Sequence, residues 1–163
     1  PGFPSRPTTD FAKEGLFNIL GNQRDFEGMT ILDLCSGTGN LTFEFISRGA
    51  SQVIAVDSHP KVCRWIQKNA LQFDMQNQVT VVPSDCITFL QRTHQSFDLI
   101  FADPPYEVKF HNHIKELIFQ RALLKQSGLF VMEHGKRTRF DNETNYDQTR
   151  NFGNVYFSFF SWH

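Results

Sequence analysis

Four short apolar runs in this chain close on or beside an aspartate, and each is followed by a helical pattern. They are Ile31–Leu34 around Asp33, Gln52–Asp57, Val79–Val82 ahead of Asp85, and Phe97–Ala102 ahead of Asp103. Alternation of strand and helix predicts a mostly parallel sheet with helices on both faces, and such sheets take ligands at the carboxyl ends of their strands. All four aspartates fall at that end. A first helix is expected from about Asp10, capped by Thr8 or Thr9, with Ala12, Leu16, Ile19 and Leu20 on one face. Further helices are expected from Pro60 to Phe73, over Ile87–Leu90, and from Val108 to Lys125. A fifth strand follows at Gly128–Glu133. Two last strands, Tyr146–Phe152 and Asn154–Trp162, are separated by Gly153 as in a hairpin. The expected product is an α/β fold with a seven-stranded, mostly parallel sheet and an antiparallel C-terminal strand. It forms a single domain over 1–163, opened by an extended proline-bearing segment, 1–8.

Within that frame Met29–Asn40, M-T-I-L-D-L-C-S-G-T-G-N, reads as buried strand, glycine turn and helix. Glycines let the backbone approach a ligand, and the helix N-terminus offers free N–H groups, so the unit suits a nucleotide. A dinucleotide fingerprint wants Gly or Ala at the sixth place of the turn, where this chain has Thr42. An NAD-dependent dehydrogenase is disfavoured on that ground. Asp33 at the head of the turn suits a cofactor bearing an ammonium group, such as S-adenosylmethionine. Asp57, closing the second strand, is placed for ribose hydroxyls or for capping the next helix. Asp85 is placed for an adenine amino group or, equally, for a helix cap.

Asp103-Pro104-Pro105-Tyr106 carries the chemistry. Each proline fixes its own φ and pushes the preceding residue out of the helical region, so the chain leaves the strand as a stiff elbow. The Asp103 carboxylate and the Pro104 carbonyl become two fixed acceptors beside the Tyr106 ring. Two acceptors and a π-face suit a flat heterocycle with an exocyclic amine. Charge developing on that nitrogen during methyl transfer would strengthen both hydrogen bonds, which is transition-state stabilisation.

Composition bounds the rest. The chain has 163 residues, 40% hydrophobic and 20% charged, as for a soluble globular protein, and a net charge of −1, so any nucleic-acid site must be a local patch. No apolar run is long enough to span a membrane. The three cysteines, Cys35, Cys63 and Cys86, read as reduced thiols of a cytoplasmic protein, and no metal is expected. His111 and His113 fall on different sides of a helix and read as surface residues. The 18 phenylalanines read chiefly as core. His134-Gly135-Lys136-Arg137-Thr138-Arg139 lies on the same rim as Asp103, with Asp141 and Glu143 partly cancelling its charge. Lys136, Arg137 and Arg139, with Arg6 and Lys13, could hold phosphates.

Taken together, D-L-C-S-G-T-G and D-P-P-Y resemble the motifs of S-adenosylmethionine-dependent methyltransferases acting on amino groups. Arg6-Pro7-Thr8-Thr9-Asp10 with Lys13-Glu14 and L-F-N-I-L resembles the start of the RsmD family. L-L-K-Q-S-G-L-F-V-M-E-H-G-K and F-G-N-V-Y-F-S-F-F resemble its later segments, so the likeness covers about residues 6 to 160. It implies a Rossmann-like class I methyltransferase domain that methylates the exocyclic amine of a guanine in 16S ribosomal RNA. Its partner would be that RNA or a small-subunit assembly intermediate, and the enzyme a cytoplasmic monomer. Cofactor contacts would come from Asp33, Cys35, Gly37, Gly39, Asp57, Ser58, Asp85 and Cys86. Catalysis would fall to Asp103, Pro104, Pro105 and Tyr106, and substrate contacts to Arg6, Thr8, Lys13, Lys136, Arg137 and Arg139. The family's usual basic β segment before R-P-T is missing, and Phe11 stands where a basic residue is common, so weaker RNA binding is expected. The alternatives are a DNA or other RNA amino-methyltransferase, since D-P-P-Y does not separate guanine from adenine, and a non-catalytic RNA-binding protein on the same fold.

Overall fold

A computed structural model describes residues 9–105 and 108–163. Its strands are β1 Thr30–Leu34, β2 Gln52–Asp57, β3 Val79–Pro83, β4 Phe97–Ala102, β5 Leu124–His134, β6 Tyr146–Phe152 and β7 Val155–Phe160. They form one seven-stranded sheet in the order β3-β2-β1-β4-β5-β7-β6. The first five strands pair in parallel, and β7 runs antiparallel to both β5 and β6. The helices are α1 Asp10–Gln23, α2 Asn40–Ser47, α3 Pro60–Gln72, α4 Cys86–Arg92 and α5 Val108–Gln120. The expected fold class, a seven-stranded, mostly parallel sheet with an antiparallel strand near its C-terminus, is the one observed. No helix among the described residues is long and apolar enough to cross a membrane.

Strand alternation sorts the core into two layers. Ile31, Val53, Ala55, Leu99, Phe101, Leu129 and Val131 pack beneath α1, α2 and α3. Leu32, Leu34, Ile54, Val56, Ile100, Ala102, Phe130 and Met132 face α4 and α5. Because successive side chains point to opposite faces, the first set continues on the same face into residues 33, 57, 103 and 133. The acidic side chains at the strand ends thus share one face.

Local chemistry explains most boundaries. Thr9 caps α1, its hydroxyl accepting the Ala12 N–H at 3.2 Å. Asp85 caps α4, its carboxylate accepting the Thr88 N–H at 2.8 Å. The α5–β5 junction departs from expectation: α5 stops at Gln120, and Leu124, expected inside the helix, already pairs with Phe97. The stop is made by Ala122 at φ 54°, with Ala122 and Leu123 N–H groups donating back to the Phe119 and Ile118 carbonyls. Glycine usually marks that left-handed turn, and alanine hides it.

Candidate active site

The glycine turn after β1 is held in place by its neighbours. Gly37 and Gly39 have φ of 56° and 79°, and Cys35 shares the left-handed region at 58°. The Ser36 hydroxyl donates to the Asp33 and Val56 carbonyls at 3.1 and 3.0 Å, stitching the turn to β2. Gly37 N–H donates to Asp57 Oδ2 at 3.1 Å, and His59 N–H to Asp57 Oδ1 at 3.0 Å. Asp57 is thus both a brace for the turn and an acid at the strand end. Gly39 is the N-cap of α2 and supplies no side-chain cap, and Asp33 answers one of the first N–H groups of that helix, that of Thr42.

Asp33 is buried on this turn, and the Thr42 hydroxyl donates to its Oδ2 at 2.6 Å. Burial, helped by the charges of Asp57 and Glu133, raises its pKa to about 7, against the lowering effect of Thr42. Among the described residues no Lys, Arg or His forms an ion pair with Asp33. The same threonine that breaks the dinucleotide pattern therefore holds the acid in position.

Asp103 leaves β4 with its N–H donating to the Leu34 carbonyl at 3.4 Å. Pro104 is buried, Pro105 is exposed, and Tyr106 lies outside the described residues. Phe101 pairs with Val131 and Ala102 with Met132, so the next rung sets Asp103 beside Glu133. Their carboxyls hydrogen-bond, and burial with the charges of Glu133 and Asp33 lifts Asp103 far above the ordinary carboxylate range. Two carboxyls bonded to each other must share a proton, so the pair titrates as a unit. Sequence reasoning passes over Glu133 as a site residue. A signal exists: β5 is an apolar run closed by an acid, as β2 is.

The remaining expected site residues are placed as follows. Ser58 and Asp85 are exposed at the ends of β2 and β3. Backbone hydrogen bonds from the first turn of α4 hold Asp85 below the usual carboxylate range. Cys35 and Cys86 are joined sulfur to sulfur, with Cα atoms 6.7 Å apart, and Cys63 alone is a free, buried thiol. This corrects the reading of three separate reduced thiols. The sheet brings two strand-end loops 51 positions apart in sequence into contact, which an odd count does not preclude.

Lys13 donates to Asn40 at 2.9 Å and pairs with Glu44 at 3.0 Å, so its charge is already answered over the start of α2. Lys136, Arg137 and Arg139 are exposed on a loop anchored by buried His134, Thr138 and Phe140. Arg139 pairs with Asp141, whereas among the described residues no ion pair involves Lys136 or Arg137. Arg6 and Thr8 lie outside the described residues.

A buried chain of polar groups supports this loop. His134 Nε2 meets Ser158 Oγ at 2.6 Å, Ser158 meets Thr149 at 2.7 Å, and Thr149 meets Tyr146 at 2.8 Å. His134 Nδ1 lies 2.8 Å from the Gly135 carbonyl, which can only accept, so Nδ1 carries the proton and Ser158 donates to Nε2. Burial holds this imidazole below its usual pKa. His111, expected at the surface, is instead buried against His134 and Phe140, ring centroids 6.4 Å away from each. The correction follows from packing: α5 turns that position towards the end of β5, while His113 stays exposed.

The site has a marked charge asymmetry. Asp33, Asp57, Asp103 and Glu133 gather on one face of the strand ends, while the cationic side chains described above lie on the rim. That arrangement suits a ligand that carries positive charge. Among the described residues no group of His, Cys, Asp and Glu could hold a metal ion.

Known proteins resemble this chain in sequence and in fold. The family described as conserved hypothetical protein 95 matches residues 1–161. YlbH of Bacillus subtilis is 33% identical over 138 residues, covering 83% of this chain and 74% of YlbH. Ribosomal RNA small subunit methyltransferase D of Haemophilus influenzae is 30% identical over 134 residues, covering 80% of this chain and 68% of the relative. Among solved structures, the T. thermophilus 16S rRNA methyltransferase RsmC, in complex with AdoMet and guanosine, aligns with a TM-score of 0.76 at 22% identity. That alignment covers 100% of this chain and 46% of RsmC, and it speaks for the fold alone.

Proposed function

This chain belongs to the conserved hypothetical protein 95 family, the family of RsmD, and from that premise we propose that it transfers a methyl group from S-adenosylmethionine to the exocyclic amine of a guanine in 16S ribosomal RNA. The observation that carries the reading is the row of carboxyls at the strand ends beside the Asp103-Pro104 elbow. The substrate assignment draws on the naming of the relatives and on the guanosine bound by RsmC.

Bound S-adenosylmethionine supplies an electrophilic methyl on a sulfonium. Asp33 is proposed to hold its ammonium, Asp57 its ribose, and Ser58, Asp85 and Cys86 the adenosine end, with Cys35, Gly37 and Gly39 bringing backbone close. On the other side, the Asp103 carboxylate and the Pro104 carbonyl accept the two N–H bonds of the amine. Tyr106 stacks on the base, a contact worth about 1–3 kcal/mol. An aromatic amine is a weak nucleophile because its lone pair is delocalised. Holding both hydrogens turns that lone pair out of conjugation. As the amine takes up the methyl group, its nitrogen gives up one proton. Asp103 is proposed to take that proton in its ionised form, and burial beside Glu133 increases its proton affinity.

The rim loop with Lys136, Arg137 and Arg139 is proposed to hold phosphates, with the RNA or a small-subunit assembly intermediate as partner. The protein is proposed to act as a cytoplasmic monomer. Calorimetric titration tests the cofactor half of the reading: S-adenosylmethionine or its demethylated product should bind and NADH should not. Tight NADH binding without S-adenosylmethionine binding would overturn it.

A further inference from the structure

The phenylalanines of this chain are chiefly core, yet Phe11 is 65% exposed. We propose that its ring is a stacking platform for a base that flanks the target in the RNA strand, with Arg150 holding a phosphate of the same stretch. This deepens the RNA reading above and rests on it.

Strand register puts Phe11 on the rim of the site. β5 ends at His134, which is level with Tyr156 near the start of β7. The turn that joins β6 to β7, where Phe152 is level with Val155, therefore lies at the same end of the sheet as Asp103. Glu133, bonded to Asp103, is level with Phe157. The Phe157 and Phe152 ring centroids are 6.1 Å apart. Phe152 in turn meets Phe11 edge to face, with centroids 5.8 Å apart and planes at 83°. A row of neighbours thus runs from the carboxyls to Phe11, on the face of the sheet that α1 covers. Two contacts fix the Phe11 end of that row. Gly15 leaves room for the Phe152 ring, which any Cβ there would strike. Lys13 ties the same turn of α1 to Asn40, the first residue of α2. The Phe11 ring is therefore propped from one side and open on the rest.

The charges around it select the partner. Arg150 is level with Phe157 and stands two residues before Phe152, on the same face of the edge strand β6. It is exposed, and among the described residues no ion pair involves it. Lys136 and Arg137, on the loop that leaves β5 at this end, are likewise exposed and outside those ion pairs. A raised aromatic ring among unanswered cations matches a single nucleic-acid strand, whose bases stack while its phosphates are neutralised. The acidic row at the strand ends repels phosphates, so the backbone is steered along the cationic rim. Glu133, Phe157 and Phe152 stand between Asp103 and Phe11. The base on Phe11 is therefore a neighbour of the reacting base in the strand.

A stack and a phosphate contact answer differently to salt, because only the phosphate contact releases counterions. The test uses the whole chain saturated with S-adenosylhomocysteine. Its probe is a short labelled oligoadenylate with one central guanosine, followed by fluorescence anisotropy. Phe11→Ala should weaken RNA binding about 5- to 150-fold, the size of one lost base stack, with the slope of log affinity against log salt unchanged. Phe11→Trp should keep the wild-type affinity. Arg150→Gln should instead lower that slope by about one unit. Abasic nucleotides placed singly on either side of the guanosine locate the stacked base. At one position the wild type should lose affinity and Phe11→Ala should lose no more. A loss under about twofold in Phe11→Ala, or a slope that falls with it, would overturn the proposal. Equal abasic losses in both proteins at every position would do the same. So would a wild-type dimer that Phe11→Ala dissolves, in sedimentation, with RNA affinity unchanged. If N2-methylguanosine still forms in small-subunit RNA under those outcomes, only the role of Phe11 falls. If none forms, the underlying reading falls with it.

Discussion

The two halves of the strand-end face are built on opposite electrostatic terms. On the β1–β2 side each acid is met by neutral donors: Asp57 by the Gly37 and His59 amides, and Asp33 by the Thr42 hydroxyl. On the β4–β5 side Asp103 and Glu133 are bonded to one another, and burial favours their protonated form. The first half is a braced turn whose acids are already held by hydrogen bonds within the chain. The second stores proton affinity at the atoms proposed to touch the reacting amine. The proposed binding subsite and the proposed reactive one thus differ in what their carboxyls lean on.

The sharpest way to break the comparison is Asp103→Ala. Losing one aimed transition-state acceptor should lower the single-turnover methyl-transfer rate by about two to three powers of ten, with cofactor affinity nearly unchanged. A loss under about threefold would remove Asp103 from the chemistry. The mirror experiment is Asp57→Ala, which should weaken cofactor binding about 10- to 150-fold, the cost of a charge-assisted hydrogen bond, as read by calorimetry. Its effect on the rate at saturating cofactor should be small, and a large one would blur the division between the halves.

Stability separates them in a second way. A carboxyl whose folded pKa is raised binds its proton more tightly in the folded state than in the unfolded one. It therefore costs stability as pH rises above its unfolded pKa, and the cost reaches its full size above its folded pKa. Asp103→Asn should stabilise the protein by about 0.5–2 kcal/mol at pH 8, a rise in melting temperature of about 2–4 °C per kcal/mol, with the gain gone below about pH 4. Thermal melts that show no gain at pH 8 would mean that the pair is not under strain. Asp85, which burial hardly touches, should behave in the opposite sense. Asp85→Ala loses the cap of α4 and should cost about 1 kcal/mol.

The smallest expected effect lies on the rim. Neutralising Lys136, Arg137 and Arg139 should leave cofactor binding intact and reduce the slope of log RNA affinity against log salt by about one unit for each phosphate no longer held. Arg139 already has Asp141, so Lys136 and Arg137 should carry most of the change. An unchanged slope would place the RNA on another face.

Much of the fold and half of the site are legible in the sequence, for a physical reason. Strands buried on both faces read as apolar runs, and the polar residue that closes each run marks where the ligand-binding edge begins. That logic places Asp33, Asp57, Asp85 and Asp103 and predicts the sheet. What it misses depends on registers between strands. That Glu133 lies beside Asp103 follows from Ala102 being level with Met132, which no local pattern encodes. The joining of Cys35 to Cys86 and the burial of His111 are likewise products of packing. Thr42 reads in the sequence only as a misfit in the glycine motif, although its hydroxyl positions Asp33. The end of α5 is hidden because Ala122 occupies a turn where glycine is the usual marker.

The central claim is that the two halves together methylate a guanine amine. It is tested most directly by incubating the protein with S-adenosylmethionine and small-subunit ribosomal RNA, as free RNA and as assembly intermediates, and mapping the methylated nucleosides by mass. The account predicts N2-methylguanosine at a single position, absent when Asp103→Ala replaces the wild type. N6-methyladenosine as the product, or no methylated nucleoside from either form of the RNA, would contradict it.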